Sequence, residues 1–377
     1  DTKDFGGKAS IINVDGKVDI NLKNGNALTA IRTGSAVTVG GGNIQIAADK
    51  NNENYALKAD GGVVNVNMNA DKNAAGTVTT VIKGNAIANS AKAFANFDMD
   101  DADSTINIGL SDKESSWTGV AFSKDNGSAG FPFKGIINLY LANGATWNNE
   151  AWGKTNAAFE GSHVAKLAGG ASAAAAGNIF QKDSKNLTVD NYSGNTNIFY
   201  AHTGNGEAAD NYAAGDTVIK HAAEGSVVSM ITDNTGVAMD NKDSVANVLN
   251  ALAGKLTYSN YVNGENNLTG YVKIADGLTA SSKAMQTGDI SFSSEDGKGS
   301  LKDGTITPGI TYPETQTPES SKLNNAITGD AKADYNYKKN GILKADGKYI
   351  FTQNPSAIEV SEGAAVDVNG KDIEIDT

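Results

Sequence analysis

Val18-Asp19-Ile20-Asn21-Leu22 alternates apolar and polar side chains without a break. The same pattern returns in Ile44-Gln45-Ile46, Val64-Asn65-Val66-Asn67-Met68, Ile106-Asn107-Ile108-Gly109-Leu110, Ile137-Asn138-Leu139-Tyr140-Leu141 and Val366-Asp367-Val368-Asn369. Side chains on an extended strand point alternately to its two faces, so Val18, Ile20 and Leu22 share one face and Asp19 and Asn21 the other. Shorter strands are expected between these, at Val37-Thr38-Val39, Tyr55-Ala56-Leu57 and Val78 to Ile82. Asp15-Gly16, Asn24-Gly25, Gly40-Gly41-Gly42 and Asp60-Gly61-Gly62 punctuate them with residues that tolerate positive φ and make tight corners.

In the first third of the chain like strands recur every ~20–25 residues, the scale of one turn of a solenoid. One such turn cannot bury its apolar face by itself. Stacked on its neighbours, it contributes Val, Ile and Leu to a narrow continuous core and pairs its backbone with the turns above and below. The expected fold is therefore all-β, a right-handed parallel β-helix with loop insertions and one short amphipathic helix. About 15 coils at a rise of ~4.8 Å would make a rod of roughly 70 Å. The less regular spacing after Gly84 implies loops at corners, with Asn85 to Ser104 one candidate.

The helix is expected near 243–256. Asp243-Ser244 supplies a cap, Val245, Val248, Leu249, Leu252 and Leu256 form an apolar stripe, and Gly254 lies near the end. It should pack on the side of the solenoid. A weaker helical pattern covers Ser162 to Ala168, before the Ala-rich run Ala171 to Ala176. Residues 1–300 then form the main β-helical region, and residues 301–325 an exposed loop or linker holding Pro308, Pro313 and Pro318. Residues 326–377 are expected to continue the coils.

Composition narrows the functional classes. The 377 residues contain 43 Gly, 5 Pro and no Cys, with aromatic residues at 7%. That excludes a disulfide framework and thiolate metal sites, and it suits many short strands and tight turns. A formal net charge of −12 repels phosphate backbones and disfavours nucleic-acid binding. Arg32 is the sole arginine, so bidentate clamps on phosphate or carboxylate are disfavoured too. No apolar run approaches the ~20 residues of a transmembrane helix, and no signal peptide is visible. Both ends look like repeats cut in mid-pattern, as in a piece of a longer chain.

Leu187-Thr188-Val189-Asp190-Asn191-Tyr192-Ser193-Gly194 resembles the start of a coil in pertactin-like and self-aggregating β-helical passengers, and Asn195 to Gly204 continues that coil. Asn247-Val248-Leu249-Asn250-Ala251-Leu252-Ala253-Gly254-Lys255-Leu256 is similar to a helical insert of large adhesin-like passengers. Leu268-Thr269-Gly270-Tyr271-Val272 and Asp276-Gly277-Leu278-Thr279-Ala280 resemble its sequel. The likeness is clearest over about residues 135–285. It implies the passenger domain of a bacterial type V (classical) autotransporter adhesin: an extracellular, cell-surface rod, outer-membrane anchored or secreted. Such a rod serves attachment, auto-aggregation or biofilm formation, and is not an enzyme. The implied partners are a host or bacterial cell-surface protein or glycan, or a second copy of the chain. A membrane would be engaged only through a C-terminal barrel that lies outside these residues. The alternative from another class is a polysaccharide-binding or polysaccharide-degrading β-helix.

No catalytic, cofactor-binding or metal-binding residue is singled out, and no cofactor is expected. Asp98, Asp100, Asp101 and Asp103 supply the carboxylates Ca²⁺ favours but lack the spacing of an EF-hand, which leaves calcium open against a solvated acidic loop. His202 and His221 each follow a short apolar strand. One coil apart they would stack and share a metal or titrate together; otherwise they are polar corner residues. His163 has no comparable partner. Trp117, Trp147 and Trp152 either stack on sugars or cover the solenoid core, the commoner fate of a large ring. Acidic residues total 43, too many for any glycosidase pair to stand out. No Gly-x-Ser-x-Gly context is present, and Gly40-Gly41-Gly42 lacks the Lys-Ser or Lys-Thr of a phosphate loop. The N-glycosylation patterns at Asn126, Asn186, Asn191 and Asn267 read as solenoid corners in an Asn- and Thr-rich chain. Facing ladders of Asn, Asp and Thr offer a zipper for self-association.

Overall fold

A computed structural model describes residues 10–31, 34–89, 103–124, 126–128, 131–202, 212–239 and 241–308, with short strands at 342–345, 348–351 and 366–367. The chain is mostly strand, and the strands are laid down in repeating order. The first four turns each supply one strand to three sheets. They are β1 (Ile11–Val14), β2 (Val18–Leu22) and β3 (Leu28–Ile31); β4 (Ala36–Val39), β5 (Gly42–Ile46) and β6 (Tyr55–Asp60); β7 (Val63–Val66), β8 (Thr80–Lys83) and β9 (Asn85–Asn89); then β10 (Ser104–Leu110), β11 (Ser116–Thr118) and β12 (Ala121–Lys124).

After a hairpin of β13 (Asn126–Ser128) and β14 (Phe131–Phe133), each turn supplies, among the described residues, the first two sheets only: β15 (Gly135–Leu141) and β16 (Thr146–Asn149), β17 (Gly161–Ala168) and β18 (Gly177–Gln181), β19 (Asn186–Ser193) and β20 (Asn195–Tyr200), β21 (Thr217–Ala222) and β22 (Ser226–Asp233). The helix α1 (Lys242–Ala253) then precedes β23 (Leu256–Tyr258) and β24 (Leu268–Ala275). The antiparallel strands β25 (Ala284–Phe292), β26 (Gly299–Leu301) and β27 (Thr307–Pro308) follow. Farther on, β28 (Ile342–Ala345) pairs antiparallel with β29 (Lys348–Phe351), which pairs parallel with β30 (Val366–Asp367).

The first sheet, β1-β4-β7-β10-β15-β17-β19-β21-β23, is nine-stranded among the described residues and parallel throughout. The second runs in step with it, β2-β5-β8-β11-β16-β18-β20-β22-β24, before the antiparallel strands close it. Nine rungs at ~4.8 Å span roughly 40 Å. This is the architecture of an all-β solenoid.

Register explains the core. On the second sheet Ile20, Ile44, Ile82, Trp117, Trp147, Ile179, Ile198, Met230 and Val272 are direct neighbours from rung to rung. From Ile44 onward all are at most 1% exposed. On the first sheet Val39, Val66, Ile108, Leu139, Leu167, Tyr192 and Ala222 form a matching column. The two columns belong to one continuous core cluster. Trp117 and Trp147 are fully buried and stack with centroids 4.8 Å apart, 3° from parallel. Their indole N–H groups donate to Gly84 O and Gly119 O, each at 2.9 Å, so the rings fill the core with no polar atom left over.

The spacing between rungs is irregular, as expected after Gly84. In-register neighbours are 27 residues apart from Thr38 to Asn65, 42 from Asn65 to Asn107 and 31 from Asn107 to Asn138. The proposed loop from Asn85 is partly overturned. Asn85–Asn89 is strand β9, paired with β6 and β12, and residues 90–102 lie outside the described residues. The helix expected over Ser162 to Ala168 is also overturned, because those residues are strand β17. Pairing along β17, β19 and β21 skips Ala165, Asp190 and Lys220, so two consecutive residues of each strand face away from the core there. The buried residues Val164 and Leu167 thereby fall three apart, which imitates a helical stripe.

α1 forms as expected but starts earlier. Its N-cap is Asn241, whose side chain accepts from the N–H groups of Asp243 at 2.9 Å and Ser244 at 3.2 Å. Val245, Val248, Leu249 and Leu252 enter the same core cluster as the strand columns, and in chain order the helix stands after a second-sheet strand, where the early turns have a third strand. Pro308, expected in a loop, pairs with Gln286 as part of β27; Pro313 and Pro318 lie outside the described residues.

Among the described residues the third sheet ends at β12, and neighbouring side chains finish its edge. Ser162 Oγ accepts from Ala121 N at 3.1 Å and donates to Asn149 Oδ1 at 2.6 Å. The segment between β16 and β17 then runs back along the turns already built. Trp152 Nε1 donates to Ile46 O at 2.8 Å, Lys154 N to Asp49 O at 2.7 Å, and Asn156 Nδ2 to Glu53 Oε2 at 2.9 Å. The Trp147→Ala variant should lose about 3–5 kcal/mol through the cavity it opens, read as a fall in urea midpoint. Trp152→Ala should speed amide exchange at Ala47 and Lys154, while β20 and β22 keep their protection.

Candidate binding groove

The outward column of the first sheet is polar along its whole length: Asn13, Thr38, Asn65, Asn107, Asn138, Lys166, Asn191 and His221 follow one another in register. Its early part is a closed amide ladder. Asn138 Nδ2 donates to Asn107 Oδ1 at 2.8 Å, Asn107 Nδ2 to Asn65 Oδ1 at 2.8 Å, and Asn65 Nδ2 to Thr38 Oγ1 at 3.1 Å. These amides bond within the chain, and Asn65 and Asn107 are buried. The zipper between molecules expected from the sequence is therefore not available at these residues.

The later part of the column is different. The skipped pairing in β17, β19 and β21 turns Asp190 with Asn191 and Lys220 with His221 outward as consecutive pairs. Asp190 collects two nitrogen partners, His163 Nε2 at 2.9 Å and Lys220 Nζ at 2.8 Å. Burial alone would raise the Asp190 carboxyl, but those two donors outweigh it and hold the group down at about 2. His163 thus has a partner that sequence distance concealed.

Glu265 closes the end of the groove. It follows the short 3₁₀ turn Ser259–Asn263 and Gly264, whose φ of 86° lets the chain double back. Its carboxylate accepts from the Ala222 N–H at 2.7 Å, the Tyr258 hydroxyl at 2.7 Å and His221 Nδ1 at 3.1 Å. Burial opposes the charge, but Tyr258, Ala222, His221 and Asn260 together hold the carboxyl at about 2. Burial, then the adjacent carboxylate, push the Tyr258 hydroxyl upward. Lys166, Asn191, His221 and Glu265 line an open groove of about 380 Å³. Lys166 Nζ also sits 4.9 Å above the Tyr140 ring.

The other residues singled out in the sequence go elsewhere. His202 and His221 do not stack. His202 follows β20 of the second sheet, is buried, and meets Thr235 O at 2.8 Å and the edge of Tyr212, whereas His221 faces outward on the first sheet. The in-register partner of His221 is Asn191, and His202 falls between those two, after the second-sheet strand of the same turn. Trp117 and Trp147 are core residues, and Trp152 is tied to Ile46, so neither stacked indole is open to a sugar. Asn191 stands within β19, not at a corner. Gly40-Gly41 makes the corner between β4 and β5 and Gly42 opens β5, with φ of +121° at Gly41 and +111° at Gly42. Asp103 accepts from Lys134 N at 2.8 Å; Asp98, Asp100 and Asp101 lie outside the described residues. Among the described residues no three His, Asp or Glu side chains gather as a metal site.

No protein family, curated protein or solved structure matches this chain. The geometry therefore carries the functional reading by itself. Chemically the groove presents an ammonium, an amide and an imidazole at successive rungs, with the ionised carboxylate of Glu265 beside the last, a set that suits hydrogen bonding to an extended polar partner.

Glu265→Gln and Asp190→Asn should each cost on the order of 1–3 kcal/mol at pH 7. A carboxyl held at about 2 in the fold against a usual 4.5 stabilises the fold above pH 4.5 and loses that contribution as the pH falls towards 2. Acid titration of stability should accordingly be flatter for Glu265→Gln across that window than for the parent chain.

Proposed function

We propose that this chain is a right-handed parallel β-helix of the autotransporter-passenger type, displayed outside the cell, and that it acts as an adhesive rod rather than an enzyme. The observation that carries this reading is the outward column of the first sheet, which runs in register from the amide ladder into the groove of Lys166, Asn191, His221 and Glu265. A face with a fixed rung spacing matches a partner that is itself extended, such as a cell-surface glycan chain or protein strand. Affinity then accumulates over many weak contacts and over many copies on a surface. The cysteine-free composition suits a chain exported unfolded through an oxidising compartment.

The enzyme alternative has less support. Glycoside hydrolysis needs one carboxyl kept protonated by a raised pKa opposite a second that is ionised. Asp49, Asp190, Glu265 and Asp296 are shifted downward by their hydrogen bonds, the reverse of what a catalytic acid needs.

Beads coated with the chain should clump or bind cells without releasing product from polysaccharides. A Lys166→Ala, His221→Ala double variant, with unchanged circular dichroism, should weaken attachment. Each hydrogen bond lost at about 0.5–1.5 kcal/mol corresponds to roughly 2–10-fold, and multivalent display multiplies the effect. Release of reducing sugar, or undiminished attachment by the double variant, would refute this assignment.

A further inference from the structure

A second concavity lies on the outer face of the second sheet. Its floor continues the column Phe180, Phe199, Ile231, Lys273, which are neighbours from β18 to β24. Phe180 and Phe199 stack at 4.5 Å, and Leu278, from the turn after β24, packs on Phe199, Ile231 and Ala275. That turn is held closed by Asp276 N to Lys283 O at 3.0 Å and Lys283 N to Asp276 Oδ1 at 2.8 Å. With the turn around Ala173–Ala175 it walls a cavity of about 220 Å³. This is smaller than the ~300–1,000 Å³ of pockets for drug-sized ligands, so it fits a monosaccharide-sized occupant.

The lining has an unusual charge. In a chain with 43 acidic and 31 basic residues, Lys273 is the one charged side chain lining this cavity among the described residues, and no carboxylate joins it. Lys273 makes no ion pair or side-chain hydrogen bond among the described residues, and burial lowers the affinity of its amine for a proton. The polar groups beside it include open acceptors. Asn195 donates one amide N–H to Gly170 O and Asn197 one to Asn178 Oδ1, and neither side-chain carbonyl oxygen receives a donor among the described residues. The Ser229 hydroxyl lines the same wall.

We propose that this cavity binds an acidic sugar, with the Lys273 ammonium and Ser229 hydroxyl on the carboxylate, the Asn195 and Asn197 oxygens accepting from ring hydroxyls, and Phe199 and Ile231 beneath the C–H face. A charge-assisted contact supplies affinity. The open amide acceptors reject analogues that lack hydroxyls, because the acceptors would then be buried without partners. The site is on a different sheet from the groove and does not depend on the adhesive reading.

The test is calorimetric titration of the full chain with glucuronate, glucose and acetate, repeated with Lys273→Met, which keeps the aliphatic stem, and Lys273→Gln. Glucuronate should bind, with glucose and acetate each weaker by about 10-fold or more, the equivalent of one charged hydrogen bond. Both variants should lose glucuronate binding by a similar factor while their melting temperatures and bead attachment stay at parental values. Equal affinity for glucose would remove the role of the ammonium. Equal affinity for acetate would remove the sugar. Undiminished binding by folded variants, or no glucuronate binding by the parent chain, would overturn the proposal outright.

Discussion

Everything in this molecule depends on keeping apolar side chains in register from one rung to the next. The inner columns are only two or so residues wide on each sheet, as with Val37–Val64–Ile106–Ile137 beside Val39–Val66–Ile108–Leu139, so a rung is buried only when the rungs above and below are present. A slip of one residue would turn Ile44 or Ile82 outward and bring Asn43 or Val81 in, reversing a whole rung at once. The Trp117–Trp147 stack shows how tightly the column is specified. Two indoles superimpose 3° from parallel, and each has a backbone carbonyl waiting for its N–H.

The same register that builds the core also builds the surface. Because strand partners are fixed, outward residues form columns whether or not they have a binding role. Where those residues are amides they hydrogen-bond along the column and become part of the scaffold, as with Asn65, Asn107 and Asn138. Where the pairing skips Ala165, Asp190 and Lys220, outward side chains double in density and charged residues meet. The groove is thus a local fault in alternation, repeated on three adjacent strands and sealed by Glu265. Among the described residues the first and last rungs are finished differently. β25 and β26 run antiparallel and cover the last rung, while Ile11, Ile12 and Val14 of β1 stay largely exposed at the first.

Much of the fold was legible. The strands at Val18–Leu22, Ile44–Ile46, Ile106–Leu110 and Ile137–Leu141 and the helix over Lys242–Ala253 declare themselves by period. The helix expected at Ser162–Ala168 failed because a break in strand alternation produces the three-residue spacing of a helix. Little of the candidate site was legible. His163 and Asp190 lie on successive strands, and Glu265 reaches His221 from 44 residues away.

The sequence by itself determined which face of each strand is apolar, because alternation is a property of the backbone over a few residues. Only the tertiary structure decided which strands share a column, since that depends on how much chain each corner absorbs. Closing a longer corner costs little more than closing a short one, about 0.6 kcal/mol per doubling of length. Separations of 27 and 42 residues can therefore serve successive rungs of one ladder. Contacts such as Trp152 on Ile46, 106 residues apart, and the carboxylate of Glu265 on the Ala222 amide exist only in the stacked arrangement of the rungs.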